Sequence, residues 1–332
     1  MKLTDGIVAI AGAGRMGRGI ALTFAYQGYE VYLMDIKKRE KNEFEQLYIQ
    51  SFEEIKNQLN ILVYGNVVPQ ESVNRVLDRV KICRDDDETL EWEKIDIFFE
   101  AVPEVKEIKQ EVFQRFCSKI PKKTPIASTT STFLVDDLAE FVTNNERFMN
   151  SHWLNPAHLI PLVEVSAGSN TSEQAIQKMF TLLESIGKTP VRCAPSPGFI
   201  VPRIQALAMN EAARLIEDGV ASANDVDKAI RNGFGIRFAV MGLLEFIDWG
   251  GADTLFHASN YLKSELQSDR FAPPMIIEEK MKNGEIGMKV KKGFYEFDGK
   301  DIDNYQLQTL TKFVDLLQHL GFLTVQEKDR VR

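Results

Sequence analysis

Ile7-Val8-Ala9-Ile10-Ala11-Gly12-Ala13-Gly14-Arg15-Met16-Gly17-Arg18-Gly19-Ile20-Ala21-Leu22-Thr23-Phe24 reads as a short apolar strand, a glycine turn and the start of a helix. Each glycine has a mechanical reason in that reading. Gly12 permits a tight strand-to-helix turn, Gly14 lets backbone amides approach a pyrophosphate, and Gly17 lets helix and sheet pack closely. The first helical turn then offers unpaired N–H groups and a partial positive charge to an anion. Arg15 and Met16, between the second and third glycines, belong to the same candidate dinucleotide site. A second run, Tyr29-Glu30-Val31-Tyr32-Leu33-Met34, ends in Asp35, where the fingerprint places its ribose-binding acid. That carboxylate accepts a hydrogen bond from the 2′-hydroxyl of NAD and repels the 2′-phosphate of NADP, so NAD is the expected cofactor. Lys37, Lys38 and Arg39 follow at once. They either begin a helix in solvent or pair with such a phosphate.

The 332 residues are enough for two domains with their own cores, and 44% hydrophobic with 27% charged residues is an ordinary globular balance. No apolar run approaches a membrane span, and the first residues lack a basic segment and a small-residue cleavage site. The expectation is a cytoplasmic protein with no membrane partner. A net charge of −8 opposes nucleic-acid binding and gives no long-range attraction for an acidic substrate, which local donors must therefore hold. Cys83, Cys117 and Cys193 lie far apart without Cys-x-x-Cys spacing, so they read as reduced structural thiols, with no disulfide framework and no metal cluster.

Strand patterns alternate with helical ones through the first half: Ile95–Glu100, Pro125–Ser128, Arg147–Ser151 and Leu162–Val165 follow the two strands above. Such alternation implies an α/β Rossmann-type, doubly wound parallel sheet. A charged insertion at about 38–80, with apolar residues at helical spacing and a break near Gly65-Asn66, reads as a helical hairpin projecting from this domain. Ala194-Pro195-Ser196-Pro197-Gly198 is a breaker cluster, beyond which the pattern is helical. The division expected is therefore 1–194 for the nucleotide domain and 195–332 for an all-α C-terminal domain for substrate and dimerisation. Its first helix carries Ile204, Leu207, Ala208, Ala212, Leu215 and Ile216, an apolar face wide enough to be fully buried or to meet a second copy.

Four histidines, at 152, 158, 257 and 319, limit the choice of a general base working near neutral pH. His152 lies at the carboxyl end of an expected strand, where open α/β folds place ligands, and Glu164 falls on the next strand. A carboxylate beside an imidazole fixes its tautomer and steadies the imidazolium once it has taken a proton. An alcohol that loses hydride to NAD needs its hydroxyl proton removed in this way. His158 is expected to pack under the loop.

Ser151-His152-Trp153-Leu154-Asn155-Pro156, Pro161-Leu162-Val163-Glu164-Val165, Ser128-Thr129-Thr130-Ser131 and Ser196-Pro197-Gly198-Phe199-Ile200 together resemble the 3-hydroxyacyl-CoA dehydrogenase family, over most of residues 6 to 300. The resemblance implies His152 as catalytic base, Glu164 as its orienting acid, Ser131 as a partner of the substrate oxygen, and Asn155 as a contact to nicotinamide or substrate. It also implies that Ala101, Val102 and Glu104 line the cofactor and that Lys109 reaches towards it. By spacing alone Glu104 and Lys109 read as surface residues of a helix. A homodimer through the helical domain follows from the same resemblance.

Three departures from the acyl-CoA pattern bear on substrate. Pro202 stands where those enzymes carry Asn, Pro161 where Lys precedes Leu-Val-Glu, and Gly233-Phe234-Gly235-Ile236-Arg237-Phe238-Ala239-Val240-Met241-Gly242 is longer than the corresponding loop. That last stretch is similar to relatives that oxidise free hydroxy acids, such as carnitine and gulonate dehydrogenases. A guanidinium binds a carboxylate through two parallel hydrogen bonds, whereas a thioester offers no negative charge there. Arg237 is thus either a substrate-carboxylate clamp or a partner of a helix end, Glu245 or Asp248. The expected reaction is NAD-dependent oxidation of an (S)-3-hydroxy acid to the 3-oxo acid, with a small free carboxylate ahead of the CoA thioester. Carnitine stays open if Trp153, Phe238 or Trp249 faces a quaternary ammonium. A non-catalytic NAD-binding structural protein is the rival from another class.

Overall fold

The computed structural model describes residues 6–323. The chain separates into two compact units, divided between Met209 and Asn210. In the first, β1 (Ile7–Ala11) leads into α1 (Arg15–Tyr26), and β2 (Glu30–Asp35) into α2 (Lys41–Tyr64) and α3 (Val73–Leu77). After β3 (Val80–Arg84) and β4 (Ile95–Glu100) come α4 (Lys106–Phe116), β5 (Ile126–Ser128) and α5 (Val135–Ala139). The unit continues through β6 (Phe148–Trp153), β7 (Leu162–Ala167), α6 (Glu173–Ser185) and β8 (Thr189–Cys193). The sheet order is β3-β2-β1-β4-β5-β6-β7-β8, with the reversal between β1 and β4 that opens a crevice at the carboxyl ends of the strands. Strands β1 and β2 are apolar on both faces because helices cover both, and the buried side chains form two clusters, one per face.

The sheet departs from the all-parallel expectation at one pairing. β6 and β7 are antiparallel, with His152 directly opposite Glu164. The connection 154–161 is too short for the crossover a parallel pair requires, so the chain turns back on itself. β3 and β8 were not among the strands expected. β3 is a short run broken by Lys81 and closed by Arg84 at the end of the charged insertion, and β8 contains Pro190, which the sheet accommodates at its edge.

The insertion is a long helix followed by a short one, broken at Gly65 and at Asn66 with its φ of 58°. It does not stand clear of the domain. Ser51, Ile55, Leu59 and Leu62 recur at three- and four-residue steps and are buried, the last three in the core cluster shared with α1, while Arg18 Nη2 holds Glu54 Oε2 at 2.7 Å. The three cysteines are free, two of them buried, and burial pushes the Cys83 thiol up to about 12, leaving it unreactive.

The helix α7 (Val201–Glu217) begins in the first unit and ends in the second. Pro202 falls in its first turn, where a missing amide is harmless. None of its residues is buried, and Leu207 and Met209 are 71% and 69% exposed, so the described residues do not cover the apolar face. The second unit is otherwise helical: α8 (Ala223–Ala229), a π-helical turn Ile230–Gly235, α9 (Ile236–Phe238), α10 (Leu243–Gly250), α11 (Ala252–Glu265), α12 (Met275–Asn283) and α13 (Ile302–His319). Residues 233–238 of the glycine-containing stretch at 233–242, read as a loop, are thus wound into helix. No described helix is long and apolar enough to cross a membrane.

Candidate active site

The glycine turn is built as its sequence requires. Gly12 has φ 117°, and a Cβ there would strike the Ala101 carbonyl, while a Cβ on Gly17 would run into the Gly12 carbonyl oxygen. Gly14 meets nothing within 4 Å, so its face is open, and it precedes α1 without any side-chain cap. The first-turn amides of α1 are therefore available to an anion. A cavity of about 840 Å³ opens here, lined by Gly14, Arg15, Met16, Asp35, Ala101 and Val102 among others. An open glycine, free helix amides and a buried ribose acid fit the adenosine and pyrophosphate portions of NAD.

Asp35 is 5% exposed and accepts from Arg39 Nε at 2.8 Å through Oδ2, while the Lys37 amide approaches Oδ1 at 3.4 Å. Arg39 is therefore not simply the solvated start of a helix, which begins only at Lys41. Oδ1 carries only that longer contact, which leaves it able to accept a further hydrogen bond.

Lys109 is 1% exposed, contrary to the surface position its spacing suggests. Its ammonium lies 3.0 Å from both Glu100 oxygens and 3.2 Å from Glu104 Oε2. A lysine is tolerated this deep only because two carboxylates surround it. Glu100, fully buried at the end of β4, also accepts from Ser128 Oγ at 2.5 Å and from the Val102 amide at 2.8 Å. Burial pushes its pKa up, opposed by Lys109, Ser128 and Val102. The cluster thereby fixes the backbone at Ala101 and Val102 along the cofactor cavity.

Glu104 precedes α4 rather than lying on it, and it organises the segment that carries Ser131. Its Oε1 accepts from the hydroxyls of Thr130 and Thr132 (2.7 Å for the latter) and from the amides of Ser131 (3.1 Å) and Thr132 (3.0 Å). Burial alone would raise its pKa, but these donors and the Lys109 charge outweigh it and bring it to about 2. A carboxylate with a lowered pKa contributes its stabilisation above the ordinary carboxylate range and loses it only as pH falls through that low value. Glu104→Gln is therefore expected to lower turnover about tenfold by loosening the Ser131 segment, by a factor that stays constant from about pH 6 to 8. A pH–rate profile of the variant parallel to the wild-type profile checks this.

His152 and Glu164 form the centre of the site. They are 4% and 0% exposed, and His152 Nδ1 lies 2.8 Å from Glu164 Oε2. An ionised carboxylate can only accept, so Nδ1 carries the hydrogen and the lone pair of the neutral ring is at Nε2. Glu164 Oε1 is held in turn by the amides of Ile200 and Val201, at 2.9 and 2.8 Å, at the start of α7. The imidazole stacks on Phe199, with centroids 5.0 Å apart and planes 4° from parallel. Phe199 has φ 46°, a conformation uncommon outside glycine. Neither the Phe199 stack nor the amide grip on Glu164 was foreseen; the breaker cluster at 194–198 was the one signal that the chain turns sharply here. Ser131 and Asn155 are both exposed, on the segments after β5 and β6 respectively, at the same carboxyl edge of the sheet as His152.

In the second unit, Arg237 is exposed on α9, and its guanidinium lies 5.6 Å from the centroid of the Phe246 ring. The carboxylates offered to it by sequence are engaged elsewhere. Asp248 accepts from the Phe294 and Tyr295 amides, and Glu245 from the Gly242 amide. Trp153 is core, 2% exposed against Phe24 and Phe99, which removes it as a face for a quaternary ammonium. His158 is buried.

A doubly wound sheet with this glycine turn and ribose acid defines the class of NAD-binding Rossmann proteins. Residues 7–196 match the 3-hydroxyacyl-CoA dehydrogenase NAD-binding domain, and residues 198–297 match the C-terminal domain of the same enzymes. The chain belongs to the 3-hydroxyacyl-CoA dehydrogenase family, and NAD is the cofactor of its nucleotide site. It is 32% identical over 298 residues to the 3-hydroxyadipyl-CoA dehydrogenase of Escherichia coli, covering 90% of this chain and 60% of that longer protein. A crystal structure of a 3-hydroxyacyl-CoA dehydrogenase from Archaeoglobus fulgidus superposes with a TM-score of 0.73 at 32% identity, over 96% of this chain and all of that one. The 5-formyl-3-hydroxy-2-methylpyridine 4-carboxylate 5-dehydrogenase of Mesorhizobium japonicum is 29% identical over 313 residues, 92% of this chain and 96% of that one.

Proposed function

We propose that the protein oxidises an (S)-3-hydroxy acid reversibly to the 3-oxo acid, with His152 as the general base. The observation that carries this is the buried 2.8 Å bond between His152 Nδ1 and Glu164 Oε2, at the same edge of the sheet where β1, β2 and β4 end at the nucleotide cavity. Bound there, NAD supplies the hydride acceptor. His152 Nε2 takes the hydroxyl proton as the carbon gives up its hydride, and Glu164 steadies the resulting imidazolium. Ser131 and Asn155 orient the substrate oxygen and the reacting face. Pro202 offers no side-chain donor, so polarisation of the oxygen falls to Ser131, Asn155 and protonated His152.

Substrate choice rests on Arg237. A free carboxylate is favoured by a guanidinium with no acidic partner among the described residues, by Pro161 and Pro202, and by the relative whose substrate is a pyridine carboxylate. The CoA thioester is the second reading, favoured by the E. coli and A. fulgidus relatives, a 3-hydroxyadipyl-CoA and a 3-hydroxyacyl-CoA dehydrogenase. NADH formation with 3-hydroxybutyrate, carnitine, gulonate and 3-hydroxybutyryl-CoA in parallel tests both. If the free acid is the substrate, Arg237→Ala raises its KM by about 10- to 100-fold, as expected for loss of a charge-assisted pair. Thioester turnover that is faster than any free acid's and indifferent to Arg237→Ala would reverse the order. We also infer a cytoplasmic protein, and assign the apolar face of α7 that the described residues leave exposed to a second copy of the chain in a homodimer.

A further inference from the structure

The segment 154–161, which joins the strand of His152 to that of Glu164 and carries Asn155, is fastened by a buried lysine outside the described catalytic group. Lys188 sits between α6 and β8 and is 6% exposed. Its ammonium donates to the carbonyls of Ala157 at 2.6 Å and Ile160 at 2.7 Å, and lies 5.6 Å from the Trp153 ring centroid. Its own backbone is fixed by a bond from its amide to the Leu183 carbonyl at 3.0 Å, after Gly187 at φ 75°. The next amide, Thr189, bonds the Pro161 carbonyl at 2.9 Å. On its other side the segment lies against the nucleotide-binding helix: Thr23 Oγ1 reaches the Ala157 carbonyl at 3.4 Å, and Gly19 leaves room for the Ala157 methyl.

We infer that Lys188 is a positioning residue for the reaction, clamping 155–161 between β8 and α1 so that Asn155 stays set beside the His152–Glu164 pair. A buried ammonium is an expensive group to keep, and no carboxylate pairs with this one among the described residues; its two carbonyl acceptors are its compensation. Burial lowers its pKa to about 8, and burial together with the Lys188 charge lowers that of His158, the titratable side chain facing it from the same segment. The segment is therefore held by a cation and kept beside a neutral imidazole at neutral pH. The lysine's apolar stem packs regardless of charge, so replacing it with methionine removes the clamp and keeps the volume.

The inference rests on the dehydrogenase reading above, and the test separates the two. Wild type, Lys188→Met and Lys188→Arg are compared for turnover on the best 3-hydroxy substrate, for NADH binding by fluorescence, and for deuterium uptake resolved by peptide. Lys188→Met is expected to lower kcat by about 10- to 100-fold with NADH affinity within about threefold of wild type, and to raise uptake in 154–161 while β1 and α1 keep theirs. Lys188→Arg, which retains the charge and donors, is expected to recover most of the protection and part of kcat. Should Lys188→Met not fold, the arginine variant alone decides, because a clamp predicts altered exchange confined to 154–161. Unchanged kcat and uptake in Lys188→Met, or uptake raised across the whole unit, would overturn the role of Lys188. Absence of wild-type turnover on every substrate would instead sink the dehydrogenase reading.

Discussion

His152→Gln is expected to lower kcat by about two to four orders of magnitude while leaving NAD binding and the melting temperature close to wild type. The size of the effect follows from the role of the ring. Glutamine keeps an amide donor near Glu164 Oε2 and fills much of the space against Phe199, but it cannot take a proton at the position of Nε2. The nucleotide turn at Gly12–Gly17 lies on other strand and helix ends, so its grip on the cofactor is unaffected. Turnover, fluorescence titration with NADH and thermal melting on one preparation test this. A variant retaining more than about a tenth of wild-type kcat would remove His152 as the base. A wild type inert on every 3-hydroxy substrate would favour the non-catalytic NAD-binding reading.

The largest stability effect is expected at Lys109. Lys109→Met leaves the Glu100 carboxylate buried with its hydrogen bonds but without its counter-charge, a loss of about 3–5 kcal/mol for a broken buried pair. The pH dependence has a definite sign. Burial already raises the pKa of Glu100, and removing Lys109 raises it further, so the folded variant prefers the protonated acid. An acid with a raised folded-state pKa loses stability as pH climbs from the ordinary carboxylate range through the raised value. The deficit of Lys109→Met relative to wild type is therefore smaller at about pH 5 than at about pH 8. Urea denaturation at the two values measures it, and a deficit that grows on acidification would contradict the assignment of Glu100 as the group left unpaired. Glu104 loses one of its partners in the same variant, so the Ser131 segment should loosen and turnover fall as well.

Both experiments address groups whose importance was visible to different degrees before the fold was known. The glycine turn, Asp35 and the His152–Glu164 pair follow from local sequence, because backbone sterics, strand periodicity and position at strand ends act within a few residues. Lys109 and Glu104 were expected at the cofactor only through family resemblance. Spacing placed Lys109 on a helix surface, since nothing local reveals that α4 lays that lysine against the end of β4. Neither sequence reading of Arg39, a helix start in solvent or a partner for a 2′-phosphate, foresaw its bond to Asp35, for the same reason: that acid belongs to a strand whose end is defined by the sheet. The antiparallel turn through 154–161 was missed because the strand pattern alone carries no direction, although a connection that short cannot make a parallel crossover.

What the amino-acid order determined by itself is the nucleotide-binding half: a strand, a turn that admits only glycine, a helix offering free amides, and an acid at the next strand end. These depend on interactions between near neighbours along the chain. Tertiary structure decided which charged residues are buried. It paired Lys109 with Glu100 and Glu104, set Glu164 against the Ile200 and Val201 amides, and drew Lys188 under the segment carrying Asn155. A charged side chain enters a protein interior only where partners from distant parts of the chain converge on it, and that convergence exists only once the sheet has formed.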